Sequence, residues 1–234
     1  MRLDKWLSNL KYGSRKQIEQ AVKAGRVTVN QHPVSQASML INPSRDVVTF
    51  DGDLVHFFPG LTLMMHKRAG VVCAHHDARF NTIFDDLPEP YARHDLHMAG
   101  RLDRDVTGMM ILSVDGTLIH RIINPHKDVF KTYQVETAEP VTNLRRLHEP
   151  LVLKDGRGEP YTIKPPQIVS SVGTTTVIKI SEGKHHQVKK MFAALGHPVL
   201  KLTRTAIGGL LLDETLSEGD VKRLTEAEIA QIFT

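Results

Sequence analysis

The feature that most constrains the fold is a break in pattern at Phe57-Phe58-Pro59-Gly60, where proline and glycine interrupt regular structure and a new apolar run, Leu61 to Met65, begins. It divides the chain into 1–58 and 61–234, and the two sides carry different hydrophobic periods. On the N-terminal side Leu3, Trp6, Leu7 and Leu10 recur at helical spacing until Gly13 stops them. Ser14 with Gln17 signals a capping box for a second helix, Ile18, Ala21 and Val22 supply its buried stripe, and Gly25 suits the left-handed residue after a helix end. Val27 and Val29 then alternate with polar neighbours, and Val47, Val48 and Phe50 precede an Asp51-Gly52 turn. The expected unit is two helices followed by a small sheet.

Beyond residue 61, short β-rich runs at Val71 to Cys73, Met109 to Ser113, Tyr133 to Thr137 and Thr175 to Ile180 alternate with turns and a few helical segments. The clearest helix runs from about His186 to Leu195, with Val188, Met191, Phe192 and Leu195 on one stripe and Gly196 as its stop. A last helix starts at Thr225, which pairs with Glu228 in another capping box. The fold class expected is α+β.

A chain of 234 residues buries an adequate core without disulfides. Cys73 is its single cysteine, which excludes an intramolecular disulfide and any zinc site built on several thiolates, and fits a reducing compartment. No stretch reaches the roughly 18 apolar residues of a membrane span, and the N-terminus is charged where a secretory signal is apolar. The expected place is the cytoplasm, off the membrane. The net charge of +4 matters less than its distribution. Within the first thirty residues Arg2, Lys5, Lys11, Arg15, Lys16, Lys23 and Arg26 face only Asp4 and Glu19, a surface suited to a polyanion.

The richest chemistry lies in Gly100-Arg101-Leu102-Asp103-Arg104-Asp105-Val106-Thr107-Gly108. Flanking guanidinium groups favour a charged carboxylate, and a glycine-held loop beside a strand is well placed to display a reactive group. The same residues also suit a polar turn whose aspartates cap backbone amides. The histidine clusters, His75-His76, His94 with His97, and His185-His186, lack a metalloprotease-like spacing, and neither a Walker loop nor G-x-G-x-x-G is present. No metal and no nucleotide cofactor is expected.

GRLDRDVTG resembles the active-site motif of the RNA pseudouridine synthases, in the branch of the ribosomal small-subunit pseudouridine synthase A family. Lys131-Thr132-Tyr133 is similar to that family's K-x-Y motif, and the stretch from Glu182 through His186-Gln187-Val188-Lys189-Lys190-Met191 to Phe192 is similar to its E-G-x-x-H-Q signature. Arg2-Leu3-Asp4, Ser14-Arg15 and Gly25 to Asn30 resemble the small RNA-binding domain known from ribosomal protein S-four. Two positions depart from the family: His66-Lys67-Arg68-Ala69-Gly70 lacks its usual proline, and Val106 stands where threonine is common.

The resemblance implies an RNA-binding domain at 1–58 and a catalytic domain at 61–234, with a mixed, largely antiparallel sheet and flanking helices. It implies that Asp103 is the nucleophile, that Tyr133 stacks on the flipped uracil, and that Lys189 pairs with Asp103. Arg101 would contact the RNA or fill the space the base leaves, and Arg2, Lys5, Arg15, Lys16, Lys23 and Arg26 would bind RNA. The implied enzyme is a monomer without a cofactor, whose partner is ribosomal RNA or a ribosome assembly intermediate. Its implied substrate is a uridine of 16S ribosomal RNA. A large-subunit ribosomal uridine, or a catalytically silent RNA-binding assembly factor, are the alternatives.

Overall fold

The computed structural model describes residues 1–149, 151–154 and 157–234. These form two compact units, Met1–Leu61 with Leu87–Leu96, and Thr62–Asp86 with His97–Thr234.

The first unit begins with helices α1 (Leu3–Asn9) and α2 (Arg15–Lys23). The capping box at α2 is formed: Gln17 N–H donates to the Ser14 hydroxyl at 3.3 Å, and Ser14 N–H donates to Gln17 Oε1 at 2.8 Å. Gly25 ends the helix at φ +68°, where a side chain would be strained. Strands β1 (Val27–Val29), β2 (His32–Pro33), β3 (Val48–Phe50) and β4 (Asp53–Leu54) make a small sheet in the order β2-β1-β3-β4. Trp6, Leu7, Ile18, Val22 and Val27 share one buried cluster. Each such side chain contributes about 1.5–3 kcal/mol on burial, enough to fix the helices on the sheet. Segment 87–96 completes this unit: Lys11 Nζ donates to the carbonyl of Ala92 at 2.9 Å, and the Tyr91 ring lies 5.5 Å from that of Phe58.

The second unit contains β5 (Thr62–Lys67), β6 (His97–Met98), β7 (Thr107–Ser113), α3 (Gly116–Ile123) and β8 (Lys131–Thr137). It continues with β9 (Val152–Lys154), β10 (Pro160–Thr162), β11 (Gln167–Val172), β12 (Thr175–Ile180) and α4 (Gln187–Ala194). Then come β13 (Val199–Ile207), β14 (Leu210–Leu211), β15 (Val221–Arg223) and α5 (Glu226–Gln231). The main path of the sheet is β11-β12-β8-β13-β7-β5-β15, antiparallel throughout except for the parallel pair β13 and β7. Strand β7 is buried at every position, as a central strand covered on both faces must be. This is the expected α+β architecture with a mixed, largely antiparallel sheet.

One predicted strand is not a strand. Val71 and Cys73 are buried, yet only Val72 bridges, to Thr82, because its N–H and C=O bond Asn81 and Ile83 across a loop. Apolar residues there report burial, not sheet pairing.

Candidate active site

The Gly100 to Val106 loop joins β6 to β7, and its shape is set from beneath by a buried cation. The Lys67 side chain, at the end of β5, is fully buried, and its Nζ donates to the carbonyls of Arg68, Arg104 and Val106 at 3.0, 3.2 and 2.8 Å. Burial pushes its amine below the usual lysine range. Gly70 N–H adds a second donor to the Arg104 carbonyl at 2.8 Å, and Val106 N–H closes a turn onto the Asp103 carbonyl at 3.1 Å. The backbone from Asp103 to Val106 is therefore tied at three carbonyls. At the start of β7, Gly108 lies beside the backbone of Arg204, so that a Cβ there would clash with it, and φ is +111°.

Helix α4 lays its first turn over this loop. Its N-cap residue, His186, is left-handed at φ +53°. Lys189 Nζ donates to the two oxygens of Asp105 at 2.6 and 2.8 Å and lies 3.4 Å from Asp103 Oδ2. His186 Nε2 is 3.4 Å from the other oxygen of Asp103, and the His185 ring stacks on it with centroids 3.9 Å apart. The Lys189 hydrogen bond holds the Asp105 carboxyl below its ordinary range, with burial opposing it. Asp103 is 27% exposed against 72% for Asp105, so Asp103 is the more sheltered of the two carboxylates. Gln187, itself buried, accepts from Lys184 N–H at 2.9 Å and donates to Glu182 at 2.8 Å, which orders the turn into α4.

Tyr133, on β8, is buried except for 8% of its surface. It lines two cavities. One, of about 70 Å³, is shared with Asp103, His186 and Lys189. The other, of about 290 Å³, is shared with Lys131, Lys184 and Arg204, and Arg101 lines both. The structure thus gathers Asp103, Tyr133, Lys189 and Arg101 around one hollow. A larger cavity of about 370 Å³ beside Arg121 and Phe233 contains none of these four.

Two further cations sit behind the tyrosine. Arg204 is buried, with Nε donating to the Met109 carbonyl at 2.7 Å, and so ties β13 to β7. Lys131 Nζ donates to the carbonyls of Ile122 and Val129 at 3.0 and 2.7 Å. Burial, aided by the charge of Arg204, brings Lys131 down to about 8.

Asp105 and His186 were legible as members of the motifs, though not as contacts of Lys189 and Asp103. Nothing in the sequence marks Lys67 or Arg204 as buried, because a cation in a strand is ordinarily solvated.

The six candidate cations of the first unit are all exposed. Arg2 pairs with Asp4 at 2.7 Å, Lys23 with Glu19 at 2.8 Å, and Arg26 with Asp51. Lys5, Arg15 and Lys16 form no ion pair among the described residues.

The structure thus sets one carboxylate between a lysine and a histidine, beside a sheltered tyrosine. Comparison with known proteins identifies the family. The model of the RNA pseudouridylate synthases matches residues 62–194, and that of the S4 domain matches residues 1–47. The ribosomal small subunit pseudouridine synthase A of Vibrio cholerae is 38% identical over the full length of both chains. An RNA pseudouridine synthase of Bacillus subtilis is 37% identical, with 98% of this chain and 97% of that protein covered. A crystal structure of a pseudouridylate synthase, 36% identical, superposes with a TM-score of 0.68 over 99% of each chain. The chain belongs to the RNA pseudouridylate synthase family. It is an isomerase that converts uridine to pseudouridine in RNA.

Proposed function

We propose that this enzyme acts in the cytoplasm on one uridine of 16S small-subunit ribosomal RNA, with Asp103 as its nucleophile. The observation that carries the catalytic assignment is the placement of Asp103 in the cavity that Tyr133 lines, 3.4 Å from both Lys189 and His186. The full-length likeness to the small-subunit enzyme of Vibrio cholerae supports the choice of RNA.

The reaction breaks the bond from C1′ to uracil N1, turns the base, and joins C1′ to C5. The C5 proton leaves and N1 carries a proton in the product, so there is no net redox change and no consumed cosubstrate. The carboxylate of Asp103 acts either at the sugar carbon or on the ring, and both routes need it ionised and aimed. Lys189 supplies positive charge 3.4 Å from that carboxylate and His186 sets a ring nitrogen at the same distance from its other oxygen, while Lys67 fixes the backbone from which it projects. Tyr133 offers the face on which an extracted uracil stacks, and Arg101 guards the cavity mouth against the RNA backbone. The unit that begins at Met1 places the RNA through Lys5, Arg15 and Lys16, together with Arg2, Lys23 and Arg26.

The test is a map of pseudouridine in ribosomal RNA from cells with and without the gene, followed by conversion of a 16S transcript by purified protein. Loss of one 16S site, restored by wild type and not by Asp103→Asn, is the expected result. Loss of a large-subunit site would replace the 16S reading, and an unchanged map with no conversion of the transcript would overturn the ribosomal RNA target.

A further inference from the structure

We propose that Phe80 and Arg104 form a docking platform for an unpaired nucleotide next to the target uridine, with the base stacked on the ring and its phosphate bonded by the guanidinium. The inference deepens the proposed function and rests on the placement of the reaction at Asp103.

Arg104 immediately follows Asp103, and its carbonyl is held by Lys67 and Gly70 at 3.2 and 2.8 Å, so its backbone cannot drift from the nucleophile's. Its guanidinium lies over the Phe80 ring, with Cζ 4.3 Å from the centroid. It forms no ion pair among the described residues. Arg68 contrasts with it, because its Nε and Nη2 both donate to the Asp86 carboxylate at 2.9 Å. A guanidinium stacked on a ring keeps its in-plane N–H groups free, which is the geometry for bonding a phosphate edge-on.

Phe80 is 41% exposed, so part of the residue stays open to solvent beside that guanidinium. Its loop is ordered: Asp77 Oδ1 accepts from Arg79 N–H at 2.9 Å and from Phe80 N–H at 3.0 Å. Those bonds hold the Asp77 carboxyl below its ordinary range and direct that carboxylate to the backbone. What the loop presents outward is His76, Arg79 and the Phe80 ring, a basic and aromatic combination suited to single-stranded nucleic acid. Stacking accepts any base, so the platform fits a neighbouring nucleotide of any identity better than it fits the uracil undergoing reaction.

The experiment measures binding of the full chain to a fluorescein-labelled uridine nonamer across a salt series, without turnover, so its outcome is separate from the fate of Asp103. Phe80→Ala and Phe80→Leu should each weaken binding by about fivefold or more, while Phe80→Trp stays within about twofold of wild type. Arg104→Gln should flatten the log-log salt slope by about 0.7, the share of one single-strand phosphate contact. Melting curves equal to wild type establish that the exposed substitutions leave the fold intact. The proposal is overturned if Phe80→Ala binds within about twofold of wild type, if Arg104→Gln keeps the full slope, or if wild type has no affinity for the nonamer at 50 mM salt.

Discussion

Lys189 Nζ lies 2.6 Å from Asp105 and 3.4 Å from Asp103, so one ammonium joins both carboxylates of the loop and holds the outer one more tightly. The two aspartates therefore have separable roles. Asp103→Asn should lower the single-turnover rate by about a thousandfold or more, because it removes the group that meets the reacting carbon. Asp105→Asn should retain a larger share, since it acts through Lys189. Equal losses in the two variants, measured at saturating RNA, would mean that the roles are not separable.

Removing the ammonium tests the same triangle from its other corner. Lys189→Met leaves two neighbouring carboxylates without their common partner and should reduce the rate by about a hundredfold, whereas Lys189→Arg should recover most of it. A Lys189→Met enzyme as fast as wild type would return this residue to the role of an ordinary helix lysine.

Lys67 makes a prediction about stability. Lys67→Met removes the donor from the carbonyls of Arg68 and Val106, the latter buried, while the Arg104 carbonyl keeps Gly70 N–H. The expected cost is about 2 kcal/mol or more, read from denaturant unfolding, because each unsatisfied buried acceptor costs about 1–3 kcal/mol. The variant should also lose rate in proportion to disorder in the loop. Unaltered unfolding would show that the relief of a buried charge offsets the lost bonds.

Lys131 gives a pH dependence of known sign. Its folded value of about 8 lies below the unfolded value near 10.4, so between them the unfolded chain binds a proton that the folded chain has released. Its contribution is most unfavourable below about 8 and improves as pH rises through that window. Wild type should therefore gain stability relative to Lys131→Met between pH 8 and 10, and a constant difference between the two curves would contradict it.

The N-terminal cations should not be equivalent in RNA binding. Arg15→Ala with Lys16→Ala should flatten the salt slope by about one unit or more, since both are unpaired among the described residues. Arg2→Ala should change it less, because that guanidinium already bonds Asp4 at 3.0 and 2.7 Å. The reverse order would show that RNA displaces Asp4 from Arg2.

Local rules carried much of the fold. Ser14 with Gln17 and Thr225 with Glu228 both form their boxes, and both are decided within four residues. Helix α3 went unnamed because its start depends on Asp115 accepting from the N–H groups of Thr117 and Leu118, a cap without the three-residue partner that makes a box visible. Val71 to Cys73 misled in the opposite direction, since burial and strand pairing leave the same apolar trace. In the site, the motifs named Asp103, Tyr133 and Lys189, and the structure places them around one cavity. Lys67 and Arg204 stayed hidden because the carbonyls of Arg104, Val106 and Met109 that they bond lie 37 to 95 residues away, and a carbonyl has no side-chain identity to read.

Segment 87–96 has a consequence for how such proteins can be cut and recombined. Leaving Met1–Leu61, the chain builds Thr62–Asp86 of the second unit, returns to the first for Leu87–Leu96, and then departs again. The S4-bearing unit is thus discontinuous, its last piece encoded inside the catalytic stretch. A fragment that starts at residue 61 would carry Tyr91 without Phe58, Ala92 without Lys11, and the buried His94 without the rings of Phe57 and Phe58. Exchange of the whole compact unit between two such chains would have to carry both of its separated segments together.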